Sequence, residues 1–494
     1  MNLTRPMNAI AGWVRQLQSW AWFCLGVLLL KSLFFAIDPL PKFVMGDSGA
    51  YIQTALTGWI PEARSYFYGY FIRWSSVGSQ SLGSLLIFQL LFSAVVSILA
   101  AMICHVVFQL RLRWAFLFGF LCALDPVQLL YERYVMTEAI SLFLYAVVLY
   151  RSFLYVRDRR FRDLVLLQVI SVLLIGFRMS YLPLVQISTF LLPVLAFSVE
   201  IWCLVWRRST QTGSPWQVSR LLGAHLLVSV LLMFVLHSGY KRANGWISQR
   251  PPAYLHASGV TLLAFLSPLL EPQDTSDPEL ANLIRHGDEL RLKDVHFRDN
   301  QRFVPGYLID RFSRVHPERS GAEALAKEAA MHALLRNPLG LAAIAWQVYS
   351  EYWSNEAMKA SAEADFCFDN QPQGDFLVLL ADRFHLALQK EVPVKSPLQN
   401  YYVKAWRYYF VLLLAPFFAS LALIFPATRK YAVILFVHLS VLVTLSVTFG
   451  GHSIRFFHPV SFGTLLVIAL LAHGVHARFF ATPKEISHRG NLVP

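Results

Sequence analysis

Charge is scarce in this chain. Only 15% of its 494 residues are Asp, Glu, Lys or Arg, against 56% hydrophobic residues. That balance excludes a disordered chain and an ordinary soluble domain, in which about a quarter of residues are charged. Cysteine is scarce as well. Of the five, Cys24, Cys104, Cys122 and Cys203 fall in or near apolar runs, and Cys367 stands alone in the long stretch from Tyr240 to Lys404. One cysteine excludes a disulfide framework there, so packing must hold that stretch. There is no low-complexity tract and no internal repeat, which argues against the paired halves from which many transporters are built. No small-residue cleavage site follows the first apolar run, so no removable signal peptide is expected. Acids are outnumbered 30 to 43 by Lys and Arg, for a formal charge of +13. Much of that surplus lies in short loops between apolar runs, where it reports membrane orientation, and no nucleic-acid partner is expected.

What is present is a series of apolar runs, several longer than the roughly 18 residues that cross a bilayer as helix. They predict spans near 18–38, 84–109, 114–130, 137–156, 164–182, 184–205, 219–239, 407–426, 431–449 and 460–480. The expected class is an all-α polytopic membrane protein of about ten transmembrane helices. Basic residues recur at alternate loops: Arg5 and Arg15, Arg111 and Arg113, the Arg151 to Arg162 cluster, Arg207 and Arg208, Arg429 and Lys430, then Arg478, Lys484 and Arg489. By the positive-inside rule both termini are cytoplasmic, and Asp47 and the 240–404 stretch are external. This divides the chain into an N-terminal membrane module (1–239) with a first external loop (39–83), a mostly helical external or interfacial segment (240–405), and a C-terminal membrane module and tail (406–494).

Within the external segment, Tyr254 to Leu270 is apolar and reads as a surface helix or re-entrant turn; an eleventh span would break the charge alternation. Ser320 to Leu335 reads as an amphipathic helix. Asn337-Pro338 ends it, because the proline ring disfavours α conformation in the residue before it. A second helix is expected from Leu339 to Trp353.

Ionisable residues near the external face are the candidates for chemistry. Asp47 follows the first span in Gly46-Asp47-Ser48-Gly49-Ala50-Tyr51; it reads either as a functional carboxylate or as a loop acid or helix cap. Arg178 and Arg455 lie among apolar residues near span ends, and Arg133, Lys241 and Arg242 also fall on that side. Each reads as a phosphate ligand or as a cation snorkelling to headgroups. Glu138 opens the fourth span, where an acid suits the helix dipole or an active site. Tyr51 and the aromatics Tyr66, Phe67, Tyr68 and Tyr70 read as an interfacial belt or a sugar platform. His452 and His458 are weak candidates for metal ligands with an external acid.

The order of these features resembles the bacterial GT-C glycosyltransferases, polytopic enzymes that use polyprenyl-phosphate sugars. The family's first-loop pattern is matched by Asp47, Ser48, Tyr51, Ala55 and Gly58. Ala123-Leu124-Asp125-Pro126, Tyr131-Glu132-Arg133 and Thr137-Glu138 look like its third and fourth spans. Gly176-Phe177-Arg178, Asn337-Pro338 and Ile454-Arg455-Phe456-Phe457-His458-Pro459 are similar to later motifs, with Arg-Phe in place of the usual Arg-Tyr. The resemblance implies a GT-C-like bundle in a bacterial inner membrane. It implies transfer of a sugar from a polyprenyl-phosphate donor to a glycan, glycolipid or protein acceptor, with membrane lipid as a further partner. Asp47 would be the catalytic base, and Tyr51, Arg133, Glu138, Arg178 and Arg455 would bind substrate, the arginines at the departing phosphate. No cofactor is assigned. No paired acid follows Asp47 directly, which leaves a divalent metal requirement open. The alternative from another class is a transporter or flippase of lipid-linked sugars.

Overall fold

The computed structural model describes residues 4–205, 215–366, 374–386, 397–449 and 454–479, and these are helical with no strand. Seven helices among them are long and apolar enough to cross a membrane: Arg15–Ile37, Leu82–Val107, Glu138–Asp158, Met179–Ala196, Trp216–Ser248, Arg429–Phe449 and Arg455–Phe479. The protein is therefore an all-α chain with the architecture of a multi-pass membrane protein. Its principal helices are α1 (Thr4–Ile37), α2 (Met45–Thr57), α3 (Leu82–Met102), α4 (Leu112–Ala123), α5 (Pro126–Tyr131), α6 (Glu138–Asp158) and α7 (Phe161–Phe177). They continue with α8 (Leu182–Ala196), α9 (Pro215–Ser248), α10 (Arg319–Arg336), α11 (Pro338–Glu351), α12 (Arg429–Phe449) and α13 (His458–Phe479).

Three of the ten expected spans do not form single full-length helices. The run at 114–130 is cut because Asp125 precedes Pro126 and leaves α conformation, ending α4 after 12 residues. Asp125 then caps α5, its Oδ1 accepting from the Val127 and Gln128 backbone N–H groups at 2.9 and 3.0 Å. The run at 164–182 appears as α7, 17 residues long and closed by Arg178 in an extended conformation. The run at 407–426 is bent by 46° between Asn400–Leu413 and Ala415–Ala422, where Pro416 cannot continue the helix ladder. With that bent pair counted as one span the total is eight. The expected boundary at residue 239 also moves: α9 runs on to Ser248.

Polar side chains tie the bundle together, as they do where lipid supplies no hydrophobic drive between helices. His438 on α12 lies within 3.1 Å of Ser188 on α8 and 3.4 Å of Tyr145 on α6. Gln168 on α7 donates to Thr189 on α8 and Ser229 on α9 at 3.1 and 3.2 Å.

The segment after α9 has its own apolar core, which includes Leu263, Leu280, Leu308, Phe312, Ala326 and Ala330. The apolar stretch expected at Tyr254 to Leu270 is a helix of only eight residues, Ser258–Phe265, far too short to span. It packs against α10 so closely that a Cβ on Gly259 would lie 2.2 Å from the Glu323 carbonyl oxygen. The α10–α11 break falls where Asn337-Pro338 predicts it, and the Asn337 side chain caps α11 by accepting from the Gly340 N–H at 2.9 Å.

Candidate functional site

The first-loop pattern becomes α2, and each residue type in it has a structural reason. Ser48 donates to the Val135 carbonyl at 2.9 Å, fixing α2 to the segment before α6. Tyr51 is buried edge-to-face on Tyr68, with ring centres 5.0 Å apart. Ala55 is wholly buried, and Gly58 closes the helix at φ 78°, the left-handed conformation that favours glycine. Asp47 lies in the first turn. It points its carboxylate at two arginines.

Those arginines come from opposite ends of the chain. Arg64 Nε binds Asp47 Oδ1, and Arg455 Nη1 binds Asp47 Oδ2. Arg455 Nε also binds Glu138 Oε1, which Arg178 Nη1 meets at 2.8 Å. The result is an alternating chain of charges, Arg64–Asp47–Arg455–Glu138–Arg178, at the end of the bundle where α2, α6, α7 and α13 meet. The Arg178 and Arg455 guanidiniums both lie near the Phe456 ring, at 5.5 and 5.7 Å. A fourth guanidinium, Arg302, is in electrostatic contact with Arg64 and Asp47 from the segment that follows α9.

Three guanidiniums thus meet two acids directly, and Arg302 beyond them also faces Asp299 and Glu323. Burial pushes the Asp47 carboxyl up, but Arg455 and Arg64 together outweigh it and bring the value down to about 2. Burial raises the Tyr51 phenol, and the neighbouring Asp47 carboxylate raises it further. Burial also disfavours the Arg302 cation, and Arg64 adds like-charge repulsion.

Of the residues expected to act together, Asp47, Tyr51, Glu138, Arg178 and Arg455 converge here. Glu138 is more than a helix-dipole acid: its side chain is fully buried and shared by two arginines. Arg133 is a correction. It is fully buried, donates to Glu132 Oε2 at 2.8 Å and to the Asp38 carbonyl at 3.1 Å, and belongs to a separate cluster with Lys31 and Lys42. A guanidinium sealed in that way cannot reach a substrate phosphate. Lys241 packs over the Tyr254 ring at 5.3 Å instead of joining the ion chain. Tyr68 is not part of an interfacial belt; it is buried, and its hydroxyl donates to Gln89 at 2.7 Å. Arg64 and Arg302 were not anticipated. Arg64 carried one signal, as the first cation after Asp47 in the sequence. Arg302 lies in the polar 274–319 stretch, which has no periodicity to mark it.

A divalent metal does not fit this arrangement. The Arg455 guanidinium already bridges the two carboxylates, and no group of three or more His, Cys, Asp or Glu that could hold a metal ion occurs among the described residues. His458 is buried against the Tyr131 ring at 5.1 Å, and His452 lies outside the described residues, as does Cys367. No family model, curated protein or solved structure matches the chain.

Proposed function

We propose that the chain is a membrane glycosyltransferase that moves a sugar from a polyprenyl-phosphate donor to a glycan, glycolipid or protein of the cell envelope. The observation that carries this reading is the arginine excess around Asp47 and Glu138 at one end of an apolar bundle. Three guanidiniums paired with two carboxylates favour an anion, and arginine suits phosphate because its planar fork binds oxygens in pairs and never loses its charge. A donor with its tail in lipid brings its phosphate to that depth.

The pull on Asp47 suggests how the base is activated. While Arg64 and Arg455 bind it, the carboxyl is too acidic to take a proton near neutral pH. A donor phosphate competes for the same guanidiniums. Burial then dominates and raises the carboxyl toward working pH, where it suits general-base catalysis. The acceptor hydroxyl attacks the anomeric carbon as the bond to the phosphate oxygen breaks. The hydroxyl proton passes to Asp47, and the phosphate leaves with its charge held by arginines.

In this reading the chain crosses the bilayer ten times, with α4–α5, α7 and the bent 400–422 pair completing the seven longer helices. Both termini face the cytoplasm of a bacterial inner membrane, and the ion chain and the segment after α9 face outward, as the basic loops suggest. Full-length protein in detergent with a radiolabelled polyprenyl-phosphate sugar and an envelope extract as acceptor source tests the assignment. Labelled product that disappears with Asp47→Asn is expected. Movement of donor only across sealed vesicles, with no product in detergent, would replace the enzyme with a flippase.

A further inference from the structure

The opposite end of the bundle holds a cleft with different chemistry. There the short helix α4 begins beside the last turns of α13. At about 1.5 Å per residue, 12 residues of α4 cover about 18 Å of a hydrocarbon layer near 30 Å thick. The space beside it is a cleft of about 810 Å³, within the range that holds ligands of moderate size. Its walls are apolar, with Leu117 and Phe118 on one side and Ile468 and Leu471 on the other. Leu117 and Ile468 are 43% and 45% exposed, so these walls face whatever surrounds the bundle. The mouth is basic: Arg111 and Arg113 line it, the second lying over the Trp114 ring at 5.5 Å, and His476 stands across from them. No Asp or Glu is among the described residues that line it.

We infer that this cleft binds one anionic phospholipid from the leaflet at the basic end of the bundle. An acyl chain lies between Leu117 and Ile468, and the headgroup phosphate meets Arg111 and Arg113. The apolar depth suits a tail, and Arg111 and Arg113 at the rim suit a negative headgroup. Basic pockets between membrane helices on the cytoplasmic side recognise lipids by this combination. Trp114 at the mouth adds the amphipathic ring that favours headgroup depth. The inference is independent of the chemistry assigned to Asp47.

Native mass spectrometry of the full-length protein, delipidated and then titrated with phosphatidylglycerol or phosphatidylcholine, tests it. One phosphatidylglycerol is expected to stay bound at concentrations where phosphatidylcholine does not. Each arginine near a charged headgroup is worth close to a factor of five, so Arg111→Gln with Arg113→Gln should weaken retention about thirty-fold. Leu117→Trp fills the cleft from an exposed position without touching the charges, and it too should abolish the bound lipid. Equal retention of both lipids overturns the inference. So does undiminished phosphatidylglycerol in Leu117→Trp, which stands even where the double variant fails to insert. Displacement of the lipid by soluble glycerol phosphate at similar concentration would reduce the site to a phosphate site and also overturn it.

Discussion

Two clusters of charge lie inside this protein, and they are built to different ends. Lys31, Glu132 and Arg133 are completely sealed, with Lys42 and Asp38 paired beside them. Its side chains tie separate segments together. Lys31 reaches Glu132 from α1, Ser93 joins the same carboxylate from α3, and Gln89 donates to the Glu132 and Tyr134 carbonyls at 3.1 and 3.0 Å. The backbone around it is pinned too, the Lys42 N–H donating to the Arg133 carbonyl and the Val135 N–H to the Lys42 carbonyl, both at 2.8 Å. In the Asp47 cluster, Asp47, Arg64 and Arg455 keep between 15% and 22% of their side-chain surface open, and guanidiniums outnumber acids. A sealed cluster stabilises through its pairing and cannot admit a ligand. A partly open one can exchange an internal partner for an external one.

The sharpest way to separate them is to neutralise one acid in each. Asp47→Asn keeps the size of the side chain and removes its basicity. Turnover should fall by about 10²–10⁴-fold, as for other positioned acid–base groups, with a fall in melting temperature smaller than that of the sealed-cluster variant. Glu132→Gln should do the reverse. It leaves Lys31 and Arg133 buried without their anion, which costs about 3–5 kcal/mol, read as a lower melting temperature and yield, while turnover per folded molecule is kept. Turnover loss in folded Glu132→Gln protein would erase the contrast.

A finer test concerns the surplus. Arg64→Ala removes one of two guanidiniums on Asp47 and one of the three in the ion chain. A charged hydrogen bond of this kind is worth about 1.5–3 kcal/mol, so donor affinity should weaken by about 10–100-fold. Arg302→Ala should act in the same direction and less strongly, because Asp299 and Glu323 also face that guanidinium. Equilibrium binding of a polyprenyl-phosphate analogue measures both.

The smallest effect is on acid stability. Asp47 titrates in the folded protein at about 2, below its ordinary 3.8. A depressed carboxyl stabilises the fold above the ordinary value, and that contribution is lost as pH falls through the folded one. Melting temperature followed from about pH 5 to about pH 2 should therefore decline less steeply in Asp47→Asn than in the parent.

How much of this was legible in the chain depends on range. Local signals were read well. Asn337-Pro338 marked a helix break, and Arg178 and Arg455 stood out as cations among apolar neighbours. Length alone misled at 114–130, where Asp125-Pro126 overrides a continuous apolar run. Pairing across long sequence distances was not legible. Glu132 sits next to Arg133 and competes for it, yet nothing in the order of residues shows that Lys31 completes the pair from α1. Arg64 and Arg302 are placed by tertiary packing, and no helical or alternating pattern runs through either.

The distance in sequence between Asp47 and Arg455 has a consequence for biosynthesis. They pair across 408 residues. At ribosomal rates of about 5–20 residues per second, the first is made on the order of 20–80 s before the second. Throughout that interval the nascent chain can offer Asp47 only Arg64 and then Arg302, and Glu138 only Arg178. The ion chain closes when the final helix inserts, so a ribosome that stops short of α13 releases a membrane protein with most of its bundle and none of the link between its two acids.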